Sequence, residues 1–173
     1  MSMQRNLLVT MLTAALILLP CLKAQSTASL ASRVQRLEDM EEIRIVLTEY
    51  GRTLDARDFA AYSQLFAKDG EWVGGFGTVQ GPAAIQAFME KNIGAGPNKA
   101  HNFHLLTNFV IQVHGDSATA WSHWSFVVPT PDGKPVIAQS GRYDDLLIRE
   151  DGHWKFKRRT ASNDIPSGGP PAK

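Results

Sequence analysis

The run His101-Asn-Phe-His104-Leu-Leu-Thr-Asn108-Phe-Val-Ile-Gln-Val113-His114-Gly115-Asp116 decides how the rest of the chain is read. Residues 103–113 are rich in β-branched and aromatic side chains, which suit a half-buried pleated surface, and His114-Gly115-Asp116 is turn chemistry. A strand ending in a tight turn predicts a partner just downstream, and residues 118–128 supply one. Pro131-Asp132-Gly133-Lys134 then turns into a third strand, residues 136–149, with Tyr143, Leu146 and Ile148 as apolar content. Glu150-Asp151-Gly152 turns again, and residues 153–160 return as the last strand. Four strands joined by tight turns describe an antiparallel meander.

Upstream the period changes. Val34, Leu37, Met40, Ile43, Leu47, Tyr50 and Leu54 recur every three or four positions, which predicts one long amphipathic helix over residues 32–54. Asp58 reads as the N-cap of a shorter helix carrying Phe59, Tyr62, Leu65 and Phe66, ended by Lys68-Asp69-Gly70. Glu71-Trp72-Val73-Gly74-Gly75-Phe76 reads as a short strand or hairpin loosened by glycine, and Gly81-Pro82 opens a third helix to about Asn92. A loop over residues 94–98 leads into the β half. Helices followed by an antiparallel sheet give an α+β domain. A strongly bent meander wrapping the long helix makes a cone-shaped barrel with a pocket between sheet and helices.

The chain has 173 residues, enough for one domain with a real core. Hydrophobic residues make up 43% and charged residues 20%, and the formal charge of +1 argues against nucleic acid or an anionic membrane surface as partner. Arg5, the largely apolar run 7–19 and Lys23-Ala24-Gln25-Ser26 have the three-part layout of a secretory signal. The run is thirteen residues, short of the roughly twenty a bilayer span needs, so a retained anchor is the weaker reading. Residues 1–24 are thus read as a leader, 25–30 as a linker, 31–165 as the domain and the Pro- and Gly-rich 166–173 as a flexible tail. The expected location is periplasmic or secreted, without stable membrane association after cleavage. Cys21 is the only cysteine, so cleavage after Ala24 leaves no thiol or disulfide.

Three stretches carry a resemblance to a known family: Asp55-Ala-Arg-Asp58 with Leu65-Phe-Ala-Lys-Asp69-Gly70, then His104-Leu-Leu-Thr-Asn108, then Gly141-Arg-Tyr143 through Asp151-Gly-His-Trp154-Lys-Phe-Lys-Arg-Arg159. Over residues 31–165 the chain resembles the SnoaL-like branch of the nuclear transport factor 2-like superfamily. Within that branch it looks closest to hexachlorocyclohexane dehydrochlorinase, scytalone dehydratase and bile-acid 7α-dehydratase, all lyases without a cofactor. The resemblance implies that His104, at the start of the long strand, pairs with Asp55 from the first helix. It places Tyr50 where the bile-acid enzyme also has tyrosine and the dehydrochlorinase has lysine. Arg159 falls on an arginine the dehydrochlorinase uses, and His123 falls loosely where relatives place a further polar group. The branch commonly forms dimers or trimers through its sheet, so a homo-oligomer is expected.

Read as chemistry, Asp55 accepting from one ring nitrogen of His104 would fix the tautomer and stabilise the imidazolium formed when the other nitrogen takes a proton. An ordinary imidazole titrates at about 6.5, suitable for a base at neutral pH. The bland alternative for Asp55 is a turn cap beside Asp58. Tyr50 could donate to a leaving hydroxyl or a carbonyl, or simply complete the apolar stripe. Tyr50 and Asp55 lie about 140° apart on an ideal helix, so both reach one pocket only if the helix ends or bends near Leu54. Arg159 is read either as a rim cation for a carboxylate or departing anion, or as part of a solvated basic edge. Trp72, Phe76, Trp124 and Phe126 are candidate pocket walls, with core filling as the alternative, and His123 is either a pocket group or a core histidine.

There is no His-x-x-x-His helix, no phosphate loop and no nucleophile elbow, so no metal or cofactor is expected. The leading expectation is an exported, cofactor-independent lyase or isomerase of dehydratase or dehydrohalogenase type, acting on a small apolar ring substrate. The alternative is a non-catalytic small-ligand-binding or protein-interaction module of the same fold. Epoxide hydrolysis is a third reading, for which the pocket has few carboxylates.

Overall fold

Helix α1 runs Met3–Ala56 in a computed structural model that describes residues 3–165, with side chains from residue 29. The expected tail 166–173 lies outside the described residues, as do the side chains of the leader. The chain divides into two compact units, Met1–Glu38 and Asp39–Lys173. In the first, Leu30, Val34 and Leu37 are exposed. The buried stripe of α1 therefore does not begin at Val34, as its periodicity predicts. Periodicity reports a helix, but burial needs an opposing surface. Within the second unit that surface starts at half-buried Met40 and continues over buried Ile43, Leu47, Tyr50 and Leu54.

Helix α2 (Phe59–Gln64) starts where its sequence predicts, with the Asp58 carboxylate accepting from the Ala61 N–H at 3.0 Å. It ends sooner than expected. Leu65 is its C-cap, and the Leu65 carbonyl accepts from the Phe156 N–H at 2.8 Å, which draws the chain into strand β1 (Phe66–Gly74). Lys68-Asp69-Gly70 is strand, not a helix stop, because sheet pairing overrides its turn propensity. Strand β2 (Gly77–Gln80) returns antiparallel beside β1, and α3 (Pro82–Ile93) follows with proline in its first turn.

The meander is present as β3 (Phe103–His114), β4 (Ser117–Pro129), β5 (Pro135–Glu150) and β6 (His153–Ile165), the last five residues longer than expected. The six-stranded order is β2-β1-β6-β5-β4-β3. All neighbours are antiparallel except β1 and β6, which pair in parallel, so the sheet is mixed at one junction. In the second unit this curved, unclosed sheet packs on the helices as an α+β cone.

Register bulges in β3–β4, β4–β5 and β5–β6 supply the bend. On β4, Ala118, Ala120, Ser122 and Trp124 alternate inward, small residues first and the indole last. The indole lies across Gly141, its β5 partner, where an added Cβ would meet the Ser162 carbonyl oxygen at 1.9 Å and the Trp124 ring at 2.8 Å. Backbone, not a flexible side-chain tip, occupies that space. Gly141→Ala is therefore expected to lower stability by at least about 1–3 kcal/mol, the usual range for overpacking. The denaturation midpoint against wild type checks this, with Gly75→Ala, where a Cβ meets nothing within 4 Å and φ is not positive, as the open-space comparison.

Candidate functional site

Asp55 sits in the last turn of α1, and both of its carboxylate oxygens go to one residue. Oδ1 is 2.6 Å from Nδ1 of His104, and Oδ2 accepts from the His104 backbone N–H at 2.8 Å. This double grip ties the end of the helix to the start of β3. It also sets the tautomer: with the Nδ1 proton donated to Asp55, Nε2 carries the lone pair. Nε2 makes no hydrogen bond among the described residues. The imidazole leans on the Phe126 ring, centroids 4.9 Å apart, and on Trp124 at 6.2 Å. Asn98 braces the corner, its amide N–H donating to the Asp55 carbonyl at 3.1 Å and to the Asn102 carbonyl at 2.8 Å.

Asp55 and His104 face a cavity of about 630 Å³ that Tyr50, Trp72, Phe76, Trp124 and Phe126 also line. Tyr50 reaches it too, since α1 ends close to Leu54, as its place on the helix requires. The last helical residue is Ala56, and the cavity is wide enough to be lined by both faces. The Tyr50 hydroxyl accepts from the Trp72 indole N–H at 3.1 Å, which keeps its own proton available for donation. Phe76 is 75% exposed on the β1–β2 turn, so it forms the mouth and not the interior wall.

Two of the expected site residues lie elsewhere. His123 does not line the cavity: next to inward Trp124 on β4, it projects from the other face of the sheet. There its Nδ1 lies 3.2 Å from the Asn108 amide nitrogen and its ring packs on Trp121. Arg159 is no rim cation. It is fully buried and gives paired hydrogen bonds of 2.8 and 2.7 Å to the Asp145 carboxylate. Its guanidinium lies over the rings of Tyr50, Tyr143 and Phe156 at 3.9, 4.1 and 4.3 Å. Arg159 thus lies behind the cavity wall and holds the rings that form it.

Tyr62 and Tyr143, which the sequence marks only as apolar content, also line the cavity, and Asp145 lies buried behind them. Inward alternation from Gly141 through Tyr143, Asp145 and Leu147 was the available signal, and it marks an acid on a core-facing position. Burial pushes the Asp145 carboxyl up, against the pull of Arg159. Burial also opposes the Arg159 charge, but the Asp145 carboxylate outweighs it and the guanidinium is held above its ordinary value. Burial raises the Tyr62 and Tyr143 phenols well above theirs, reinforced by Tyr50. The cavity floor is therefore made of neutral phenols. Among the described residues no group of three or more His, Cys, Asp or Glu side chains is arranged to hold a metal ion.

The SnoaL-like domain family matches residues 35–160. The chain belongs to this family. An NTF2-like protein with a cystatin-like fold from Novosphingobium aromaticivorans is 31% identical, with a TM-score of 0.72 over 78% of this chain and 88% of that one. ActVI-ORFA from Streptomyces coelicolor is 26% identical, with a TM-score of 0.62 over 72% and 97%. LinA, at 22% identity, shares the fold with a TM-score of 0.67 over 81% and 99%. No curated protein sequence matches the chain significantly. The SnoaL-like assignment, with the NTF2-like protein at 31% identity, puts the protein in the NTF2-like superfamily.

Two outcomes follow for this SnoaL-like domain. Arg159→Met leaves Asp145 buried and unpaired and should cost about 3–5 kcal/mol, whereas Arg159→Met with Asp145→Leu should recover much of that loss; thermal denaturation of both variants measures it. The raised phenols give a pH effect of defined sign. Unfolded tyrosine titrates near 10.0, so above that pH the unfolded state sheds protons that folded Tyr62 and Tyr143 retain. Their stabilising contribution is complete below pH 10 and should fall as pH rises further, by up to about 1.4 kcal/mol per pH unit for each phenol. In an alkaline absorbance titration, these two phenolates should appear only with unfolding.

Proposed function

We propose that the protein is an exported, cofactor-independent lyase or isomerase in which His104 removes a proton from carbon on a small apolar ring substrate. The observation that carries this reading is the grip of both Asp55 oxygens on His104, beside a cavity and with Nε2 free of hydrogen bonds among the described residues. Nε2 takes the proton, and Asp55 stabilises the imidazolium that results. The C–H electron pair becomes a new π bond while a hydroxyl or halide on the adjacent carbon departs with its own bonding pair. The Tyr50 phenol donates a hydrogen bond to that departing group or, in an isomerisation, to a carbonyl oxygen. Trp72, Trp124 and Phe126 hold the ring, and the mostly carbon lining suits an apolar body. The leader-like layout of residues 1–24 supports export. Exposed Leu105 and Val110 on β3 support self-association through the sheet.

The test is turnover of a panel of cyclic alcohols and halides. His104→Ala is expected to lower kcat/KM by about 10²–10⁴, the usual worth of general base assistance, with ligand binding retained. Asp55→Asn, which spoils the tautomer, should lose activity on a similar scale, and Tyr50→Phe less. Undiminished turnover in His104→Ala sinks the assignment of the base. Ligands held unchanged by the wild type across the panel favour the binding module.

A further inference from the structure

Arg57 is a charge in the cavity lining for which the proposed proton transfer has no use. Asp55 and Arg57 are the charged side chains of that lining, His104 apart, and Asp55 is committed to His104 through both oxygens. Arg57 has no carboxylate partner among the described residues. Its one recorded contact is a long 3.4 Å hydrogen bond from NH1 to the Gly94 carbonyl at the end of α3. The remaining N–H groups of the guanidinium are left to solvent or to a ligand.

Its placement is built. The Arg57 backbone is left-handed, φ 57°, an uncommon state for a residue with a side chain. Two backbone hydrogen bonds hold that turn: Arg57 N–H to the Leu54 carbonyl at 3.1 Å, and Asp58 N–H to the Thr53 carbonyl at 2.9 Å. The turn puts the guanidinium into the cavity lining, two residues beyond the carboxylate that orients His104. Asn102 lines the same cavity. Its Oδ1 accepts from Asn98, and its own amide N–H groups make no hydrogen bond among the described residues. Beside these donors stand Ile93, Trp124 and Phe126, apolar walls that a donor group cannot pair with.

We propose that the cavity takes an apolar ring compound that bears a carboxylate, and that Arg57 binds this carboxylate while the ring lies against the aromatic walls. The proposal rests on the lyase reading for its site and deepens it by naming the substrate class. A guanidinium presents paired donors that match the two oxygens of a planar carboxylate. A single cation suits one negative charge; a phosphate dianion calls for more than the lining offers.

Calorimetric binding of bicyclic ring carboxylates and their primary amides, to wild type and variants at neutral pH, tests this. Wild type should prefer the acid by about tenfold or more, a preference that weakens with salt. Arg57→Gln and Arg57→Gly should both lose it, the glycine variant keeping the left-handed backbone without strain. His104→Ala should keep the preference, so failure of the proposed base and failure of the proposed ligand class give different results. Equal affinity for acid and amide in wild type, no binding of any ring carboxylate, a preference surviving in both Arg57 variants, or tighter binding of ring phosphates would each overturn it.

Discussion

A guanidinium with no exposed surface sits at the centre of the domain, and the packing around it follows from its charge. Removing Arg159 from water costs several kcal/mol unless an opposite charge and oriented dipoles replace the lost hydration. Asp145, directly across the β5–β6 register, gives both oxygens to it. The faces of Tyr50, Tyr143 and Phe156 present electron-rich surfaces to the cation from α1, β5 and β6. One charge thereby fixes the rotation of the helix relative to two strands. Such a pair is weak evidence of stability in itself, since an apolar replacement of equal volume often does as well. What it provides here is position: the Tyr50 ring cannot turn without uncovering the cation, and its hydroxyl is thus held where the Trp72 indole donates to it.

A second constraint acts at the far end of α1. A helix that stops against the start of a strand leaves backbone groups on both sides in need of partners. Asp55 answers for the strand by accepting from the His104 N–H, and Asn98 answers for the helix by donating to the Asp55 carbonyl. The imidazole then has little choice of direction, because the same carboxylate takes its Nδ1 proton. Asp55 therefore anchors the first N–H of the strand and orients the imidazole at once, and the turn-capping role falls to Asp58 alone. The chemistry proposed for His104 grows out of an ordinary backbone requirement.

The sequence is legible wherever local rules decide the outcome. Turn residues mark the meander, Asp58 caps α2, Pro82 opens α3, and the motif positions of Asp55 and His104 prove to be neighbours. It is illegible where distant segments decide. Lys68-Asp69-Gly70 has the composition of a helix stop, and only the parallel pairing of β1 with β6 makes it strand. Arg159 belongs to a basic run that suggests solvent, yet its register partner is Asp145, which nothing local points to. For His123 the information was present: neighbours in a strand face opposite ways, so His123 and Trp124 cannot both line one cavity.

The arrangement of charge also narrows the chemistry. Opening an epoxide with water needs a carboxylate free to activate the water or attack the ring, and the cavity's one carboxylate is spent on the imidazole through both oxygens. What remains is an imidazole at one side, and phenols at the floor that burial keeps protonated. Behind those phenols, sealed from water, lies the Arg159 cation. In the proposed reaction the proton taken by His104 leaves an electron pair on the substrate; Asp145 neutralises Arg159, so hydrogen-bond donors, not a net cation field, would receive that pair at the floor. The phenols can meet it there as hydrogen-bond donors without giving up a full proton. This arrangement, with the base on one side of the ring and phenol donors over a buried ion pair on the other, suits the proposed elimination or enolate-type isomerisation better than any hydrolysis.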